Sequence, residues 1–380
     1  MPAATELSDS MVFWLIAGAR FLLPLVIPRY PLPGILASLL LDGIDQTLFQ
    51  QFTNLSLASY QGYDKAFDIY YLSMAYISTK RNWRHRFAFS LGRLLFFWRL
   101  VGVALFELTD LRALLLAFPN TFEYFFIFYE ACRLRYEPQR IRKPVLLGAA
   151  AAIWLAIKLP QEYWIHIAQA DTTDWLKTSI FRMPLQTPWT EVLAAKPGIF
   201  FAAVMGLVLI AAAAWWLLSR YLPAADRAPA LSADAYQPPF TAEQVRYAME
   251  SEARSIVDAT LLEKATLVGL VGLSFAQVLP GVQAGNLEMA IGLTALVTVN
   301  TALTHWRARR GFGWSLTLRR FLVMLTVNGS LVFLYSAARA RFAGPITTAA
   351  ALFLVLMLTL LVTMFDHYRQ LQWMHFSPPP

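Results

Sequence analysis

Two pairs of aspartates stand at helical spacing inside stretches that are otherwise apolar. Asp42 and Asp45, in LLLDGIDQTLF, are three residues apart, and Asp64 and Asp68, in QGYDKAFDIYY, are four apart. Either spacing puts both carboxylates of a pair on one face of a helix. Further along, Arg93, Arg99 and Glu107 share one stretch and Asn120, Glu123 and Glu130 the next, while Arg20 and Lys65 add positive charge. Carboxylates grouped this way can ligate a cation, exchange protons or hold a small polar substrate. With Mg²⁺ or Mn²⁺ they can instead hold a phosphate, with Arg93 or Arg99 on its oxygens.

Each side chain then has an expected role. Asp42 and Asp45 are direct ligands, Asp64 and Asp68 an outer vestibule, Glu123 a proton-exchanging carboxylate and Arg99 a counter-ion or anion anchor. Glu107 and Asn120 complete the binding set, and Arg93 and Lys65 support it. If the ligand is a metal, Asp42, Asp45, Asp64 and Asp68 are its ligands, and a divalent cation is the one cofactor implied. By depth, Asp42, Asp45, Arg99 and Glu123 are expected to converge near the bilayer centre, with Asp64, Asp68 and Glu107 on the outer side. The plainer expectation is a salt-bridge network in which Arg20, Lys65, Arg93 and Arg99 register the helices. Glu130, three residues before Arg133, is expected to form a local helical ion pair.

The elements that must carry these groups are membrane spans. Of 380 residues, 57% are hydrophobic and 15% charged, and the mean hydropathy is +0.48, far from soluble averages. Apolar stretches predict an all-α, polytopic transmembrane bundle of about eleven spans. They lie near 11–27, 33–52, 62–79, 87–108, 111–131, 144–163, 198–219, 259–279, 286–304, 320–337 and 345–365. An unpaired charge at a helix centre costs about 2.5–3.5 kcal/mol, so four would cost on the order of 10 kcal/mol, comparable to a domain's whole stability. The charges must therefore meet one another, a wet cavity or a ligand.

The formal charge of +8 is topological. Lys80, Arg81, Arg84 and Arg86, then Arg133, Arg135, Arg140, Arg142 and Lys143, then Arg307, Arg309 and Arg310 all fall between spans on one side. This predicts an outside N-terminus and an inside C-terminus, with no nucleic-acid partner. The lipid bilayer is the expected environment, the plasma (inner) membrane the expected location, and a protein partner or homo-oligomer is compatible with the sequence. Cys132 is the single cysteine, which excludes an intrachain disulfide and a cysteine-built metal site.

Composition divides the chain into a charged, aromatic-rich bundle over 1–222, a Pro-rich linker and amphipathic helix over 223–258, and a conventional four-span bundle over 259–380. Thr241 and Gln244 form a capping-box signature that starts the linker helix. Gln277, Asn300 and Asn328 are expected to hydrogen-bond between the later spans. Pro119, beside Asn120 and Glu123, removes a backbone hydrogen bond within the fifth stretch. No Walker A loop, GxSxG elbow, GxGxxG fingerprint or His-Glu-x-x-His helix occurs, and the five histidines lie apart from one another at loops and span ends. Asp42-Gly43 followed by Gly62, Asp64 and Asp68 resembles in outline the motif of CDP-alcohol phosphotransferases. The acidic residue before the Asp-Gly pair and the Ala-Arg after it are missing, so no function is carried over. Three function classes stand: a transport-type protein, a metal-dependent membrane enzyme acting on a lipid-linked phosphate, and a non-catalytic membrane subunit.

Overall fold

The computed structural model of the chain describes residues 2–53, 60–109, 111–168, 172–237, 239–254, 258–279, 285–310, 318–339 and 347–376. They are predominantly helical, with no strand among them. Among the described residues, eight helical segments are long and apolar enough to cross a membrane: Pro31–Phe49, Arg86–Phe106, Lys143–Ile167, Pro197–Ser219, Ala259–Val278, Leu287–Arg309, Leu318–Ala338 and Thr348–Phe376. Together with the buried charges described below, they make the chain a membrane-embedded helical protein.

Two compact units emerge. The first joins Met1–Phe89 to Ala230–Pro380, and the second is Ser90–Pro229. This grouping by contacts differs from the sequential division drawn from composition, because the first three helices pack with the last five.

In the first unit, α1 (Pro2–Leu22) passes through a 3-10 turn into α2 (Pro31–Phe52). Prolines at the start of α2 pre-set its first turn. Gly34 lets the two elements touch, because a Cβ there would lie 2.9 Å from the Ile27 Cα. Next comes α3 (Tyr60–Asn82), which packs against α1, α2, α13 (Ala259–Val278) and α16 (Thr348–Phe376). From Ala66 to Lys80 every side chain of α3 except that of Asp68 is buried. This is the most polar of the long helices and lies outside the eight apolar ones, because protein rather than lipid surrounds it.

The remaining helices of this unit are α12 (Ala242–Arg254), α14 (Asn286–Arg309) and α15 (Leu318–Arg339). The capping box forms as expected: Thr241 N–H donates to Gln244 Oε1 at 3.0 Å and Gln244 N–H to Thr241 Oγ1 at 3.3 Å. Asn300 donates to Asn328 at 2.5 Å and Asn328 to Thr359 at 2.9 Å, tying α14, α15 and α16 together.

The expectation that the later spans are conventional is corrected. Lys264 on α13 and Asp366 on α16 form a 2.8 Å ion pair with both side chains fully buried. Thr304 donates to the same carboxylate at 3.2 Å, and Arg369 lies 3.6 Å away. Nearby in the chain, Lys80 pairs with Glu263, which also accepts the Tyr76 hydroxyl at 2.5 Å.

A strap follows from the Pro-rich segment. Asp234 bridges Arg29 and Arg81, Ala233 N–H donates to the Arg29 carbonyl at 2.8 Å, and Gln237 donates to the Arg81 carbonyl at 2.9 Å. The hydrogen bond from Arg81 holds the Asp234 carboxyl below the usual carboxylate range. A depressed folded-state value means that this contribution is present above a pH of about 4 and is lost as pH falls through the lower, folded value. Limited proteolysis should therefore cut the strap faster in Asp234→Asn than in wild type at pH 7, and the difference should shrink as pH falls through the lowered folded-state value. Equal cleavage at pH 7 would remove the bridge as the cause.

The second unit begins within α4 (Arg86–Thr109), at Ser90, and continues through α5 (Ala113–Ala117) and α6 (Thr121–Arg135). The continuous fifth helix expected over 111–131 is broken between α5 and α6, since Pro119 has no N–H to extend the ladder. Gly102 sits against the break, where a Cβ would come within 2.2 Å of the Phe118 Cβ. Glu130 and Arg133 form the expected local pair at 2.7 Å. The next span is one helical run from α7 (Lys143–Ala152) through a π turn (Ile153–Lys158), α8 (Leu159–Glu162) and a second π turn (Tyr163–Ile167). The described residues beyond it are largely helical too, with α9 (Thr172–Trp175) and α10 (Trp189–Ala195) leading to α11 (Pro197–Ser219).

Candidate functional site

Arg20, near the end of α1, is the hub of the first unit's charges. Its Nη1 meets Asp45 of α2 and Asp64 of α3, the latter at 2.9 Å, while its Nη2 meets Asp42 of α2 and Asp68 of α3, the latter at 3.0 Å. Each arm of the guanidinium thus takes one aspartate from each helix. The three- and four-residue spacings make this possible, because each pair projects from one face and the planar fork offers two directions of donation. The Tyr63 and Phe67 rings flank the guanidinium at 5.6 and 5.4 Å from their centroids, which fixes its plane.

Burial within the cluster is graded. The Arg20 side chain is 3% exposed and Asp45 0%, whereas Asp42, Asp64 and Asp68 are 23%, 34% and 38% exposed. The cluster is therefore closed at Asp45 and open at the other three. Those three each offer an oxygen, all lying within 4.8 Å of one another. Four carboxylates face one guanidinium, so the ionised set carries a surplus of negative charge.

The other expected residues fall in the second unit. Arg99 on α4 donates to the Phe118 carbonyl at 3.1 Å and lies 3.7 Å from Glu162. Asn120, at the break, donates its backbone N–H to Glu162 at 3.1 Å and its side-chain N–H to Glu123 at 2.9 Å. Glu123 also meets Lys158 at 3.4 Å. Asp42 and Asp45 thus belong to the first unit and Arg99 and Glu123 to the second. Lys65 is half-buried on α3 and Arg93 exposed on α4. The Glu107 side chain lies outside the described residues.

Comparison with protein-family models, with curated proteins and with solved structures gives no match. What the helices and their contacts carry is a membrane protein with buried charged residues.

Sequence reasoning missed several members of both sets. Arg20 was expected only as one supporting charge among several. Lys158 and Glu162 carry no expected role, and His166 stands there only as one of the five scattered histidines, although their spacing of four and four is a helical stripe. Lys264 and Asp366 stand more than one hundred residues apart in the chain, and no local pattern pairs them.

Proposed function

We propose that the protein is a transport-type membrane protein whose Arg20 and aspartate cluster binds a cation or protons. The observation that carries this reading is the charge imbalance around Arg20. A structural ion pair needs one carboxylate per cation, and registration of three helices needs no more than two. Four aspartates on one guanidinium leave an excess that a bound cation or proton would offset. The graded exposure gives such a ligand a way in, past Asp42, Asp64 and Asp68, while Asp45 and Arg20 form the floor.

The three aspartate oxygens lie within 4.8 Å of one another, close enough for one hard cation to touch all three. On this reading Asp42, Asp64 and Asp68 are the ligands, and Asp45 and Arg20 set the charge beneath them.

The membrane topology of this reading has about eleven crossings, with the N-terminus outside. Added to the eight apolar segments are α1, the protein-surrounded α3 and the broken α5–α6 pair. The enzyme reading uses the same three oxygens for a metal on a lipid-linked phosphate.

The test is made on protein reconstituted in lipid vesicles. Flux driven by a Na⁺, Ca²⁺ or proton gradient is expected in wild type and is expected to fall at least tenfold in Asp42→Asn and Asp64→Asn, with both variants still folded. Tightly retained Mg²⁺ or Mn²⁺ without flux would favour the enzyme. Loss of thermal stability alone in the variants, with no flux in any protein, would leave a structural network.

A further inference from the structure

Asp366 is placed in the first unit much as Arg20 is, but with the signs exchanged. Lys264 of α13 pairs with it at 2.8 Å, Arg369 of α16 lies 3.6 Å away, and Arg320 of α15 adds its charge to theirs. Three cations therefore act on one carboxylate. All four side chains are buried. We propose that Lys264, Arg320, Arg369 and Gln370 form a second binding site, which takes a phosphate-type oxyanion supplied as the free ion or as a lipid headgroup. This goes beyond the function proposed above and does not rest on it.

The sign of the ligand follows from where the other charges are. Glu263 takes Lys80, Asp258 caps the first turn of α13, Glu250 meets Arg246 at the surface, Glu288 accepts the Tyr335 hydroxyl and Glu243 is exposed. The other described carboxylates of α12 to α16 are thus committed or in the open. A surplus of buried positive charge inside a membrane protein has to be answered, and an anion answers it.

The helices are oriented for an anion as well. Lys264 is the sixth residue of α13 and Arg320 the third of α15, so both stand near helix N-termini, the positive ends of their dipoles. Cations are disfavoured there. α15 nevertheless opens with Leu318-Arg319-Arg320 and has no acidic residue in its first turn. That is a poor start for a helix by itself and a good one around an oxyanion, which meets the backbone N–H groups and the guanidinium together.

Gln370 adds an observation that does not depend on charge. It lies four residues after Asp366 on the same face of α16, is 3% exposed, and its Nε2 donor has no hydrogen-bond partner among the described residues. Helix side chains lean toward the N-terminus, so this donor leans toward the turn that carries Asp366. A buried donor without an acceptor is costly. An amide and two guanidinium forks, reaching in from two helices, suit a ligand with several oxygens better than a spherical halide. Depth agrees, since Lys264 lies about 8 Å along its helix from the first residue, within reach of the interfacial layer in which phosphate headgroups lie.

Thermal unfolding of the full chain tests the site. It is measured in neutral detergent with inorganic phosphate or chloride at matched ionic strength, and in phosphatidylcholine nanodiscs with or without phosphatidic acid. A melting temperature several degrees higher in phosphate than in chloride identifies the free ion, and a rise with phosphatidic acid alone identifies the headgroup; both outcomes support the site. No rise with either would overturn it. Arg320→Gln and Gln370→Leu should each cut the rise by at least half, whereas Arg309→Gln, exposed at the end of α14, should keep it. Asp366→Asn should melt lower than wild type without the anion and gain more from it, because no carboxylate then competes for the same cations. A merely structural cluster would not show that gain. A rise undiminished in Gln370→Leu, or a smaller gain in Asp366→Asn than in wild type, would overturn the proposal. Gln370→Leu removes one neutral amide, so it decides the matter even if Arg320→Gln fails to fold.

Discussion

Replacing Arg20 with methionine should destabilise the protein by about 3–5 kcal/mol, the cost of leaving buried charges without their partner. Methionine preserves most of the side-chain volume, so the loss reports charge rather than a cavity. The effect is large because Arg20 touches all four aspartates. Carboxylate oxygens within 4.8 Å of one another repel by roughly 3 kcal/mol per pair at an effective dielectric of about 20. Arg20→Lys should fall between the two proteins, since an ammonium is a point donor and cannot reach in two directions with a planar fork.

Thermal unfolding in detergent measures these differences, and Ca²⁺ adds a second readout. With the guanidinium gone, Ca²⁺ is expected to raise the melting temperature of Arg20→Met by several degrees more than that of wild type, because the ion takes over the neutralising role. Arg20→Met as stable as wild type would show that the aspartates do not depend on the arginine. An equal response of both proteins to Ca²⁺ would speak against the cation reading.

The second large effect is expected at Lys264. Lys264→Met leaves Asp366 fully buried with Arg369 at 3.6 Å and the Thr304 hydroxyl as its remaining contacts, and about 3–5 kcal/mol should be lost. Removing both charges in Lys264→Met/Asp366→Leu should recover part of it, because two apolar side chains of similar size carry no desolvation penalty, while buried Arg369 then loses the carboxylate beside it. The double-mutant cycle separates the pair's coupling from the cost of stranding one charge. If the double variant is no more stable than Lys264→Met, the charges matter through something other than each other.

Much of the architecture follows from local pattern. Span lengths, the capping box at Thr241 and Gln244, the Glu130 to Arg133 pair and the inter-helix bonds of Asn300 and Asn328 are all readable, because each depends on residues within a few turns or on a preference that any helical neighbour satisfies. The fifth helix was harder. Pro119 marks a weakness in a helix, but whether the chain bends or breaks there depends on what packs against it, and here Phe118 packs against Gly102. The most instructive case is α3. Hydropathy ranks it as a poor span, yet its side chains from Ala66 to Lys80 are almost all buried, because hydropathy measures fitness for lipid and α3 meets protein instead.

The sequence by itself determined that this chain lives in a membrane, that its aspartates come in same-face pairs, and that their charge has to be answered by something nearby. Those conclusions follow from the cost of a bare charge in hydrocarbon and from the geometry of a single helix. Only the tertiary structure decided what answers them. It gathered Asp42, Asp45, Asp64 and Asp68 around Arg20, placed Arg99, Asn120 and Glu123 with Lys158, Glu162 and His166 in a separate unit, and joined Lys264 to Asp366 across more than one hundred residues. Helical periodicity states which face a charge occupies. Which helix that face meets is set by packing between distant segments, and chain order carries no record of it.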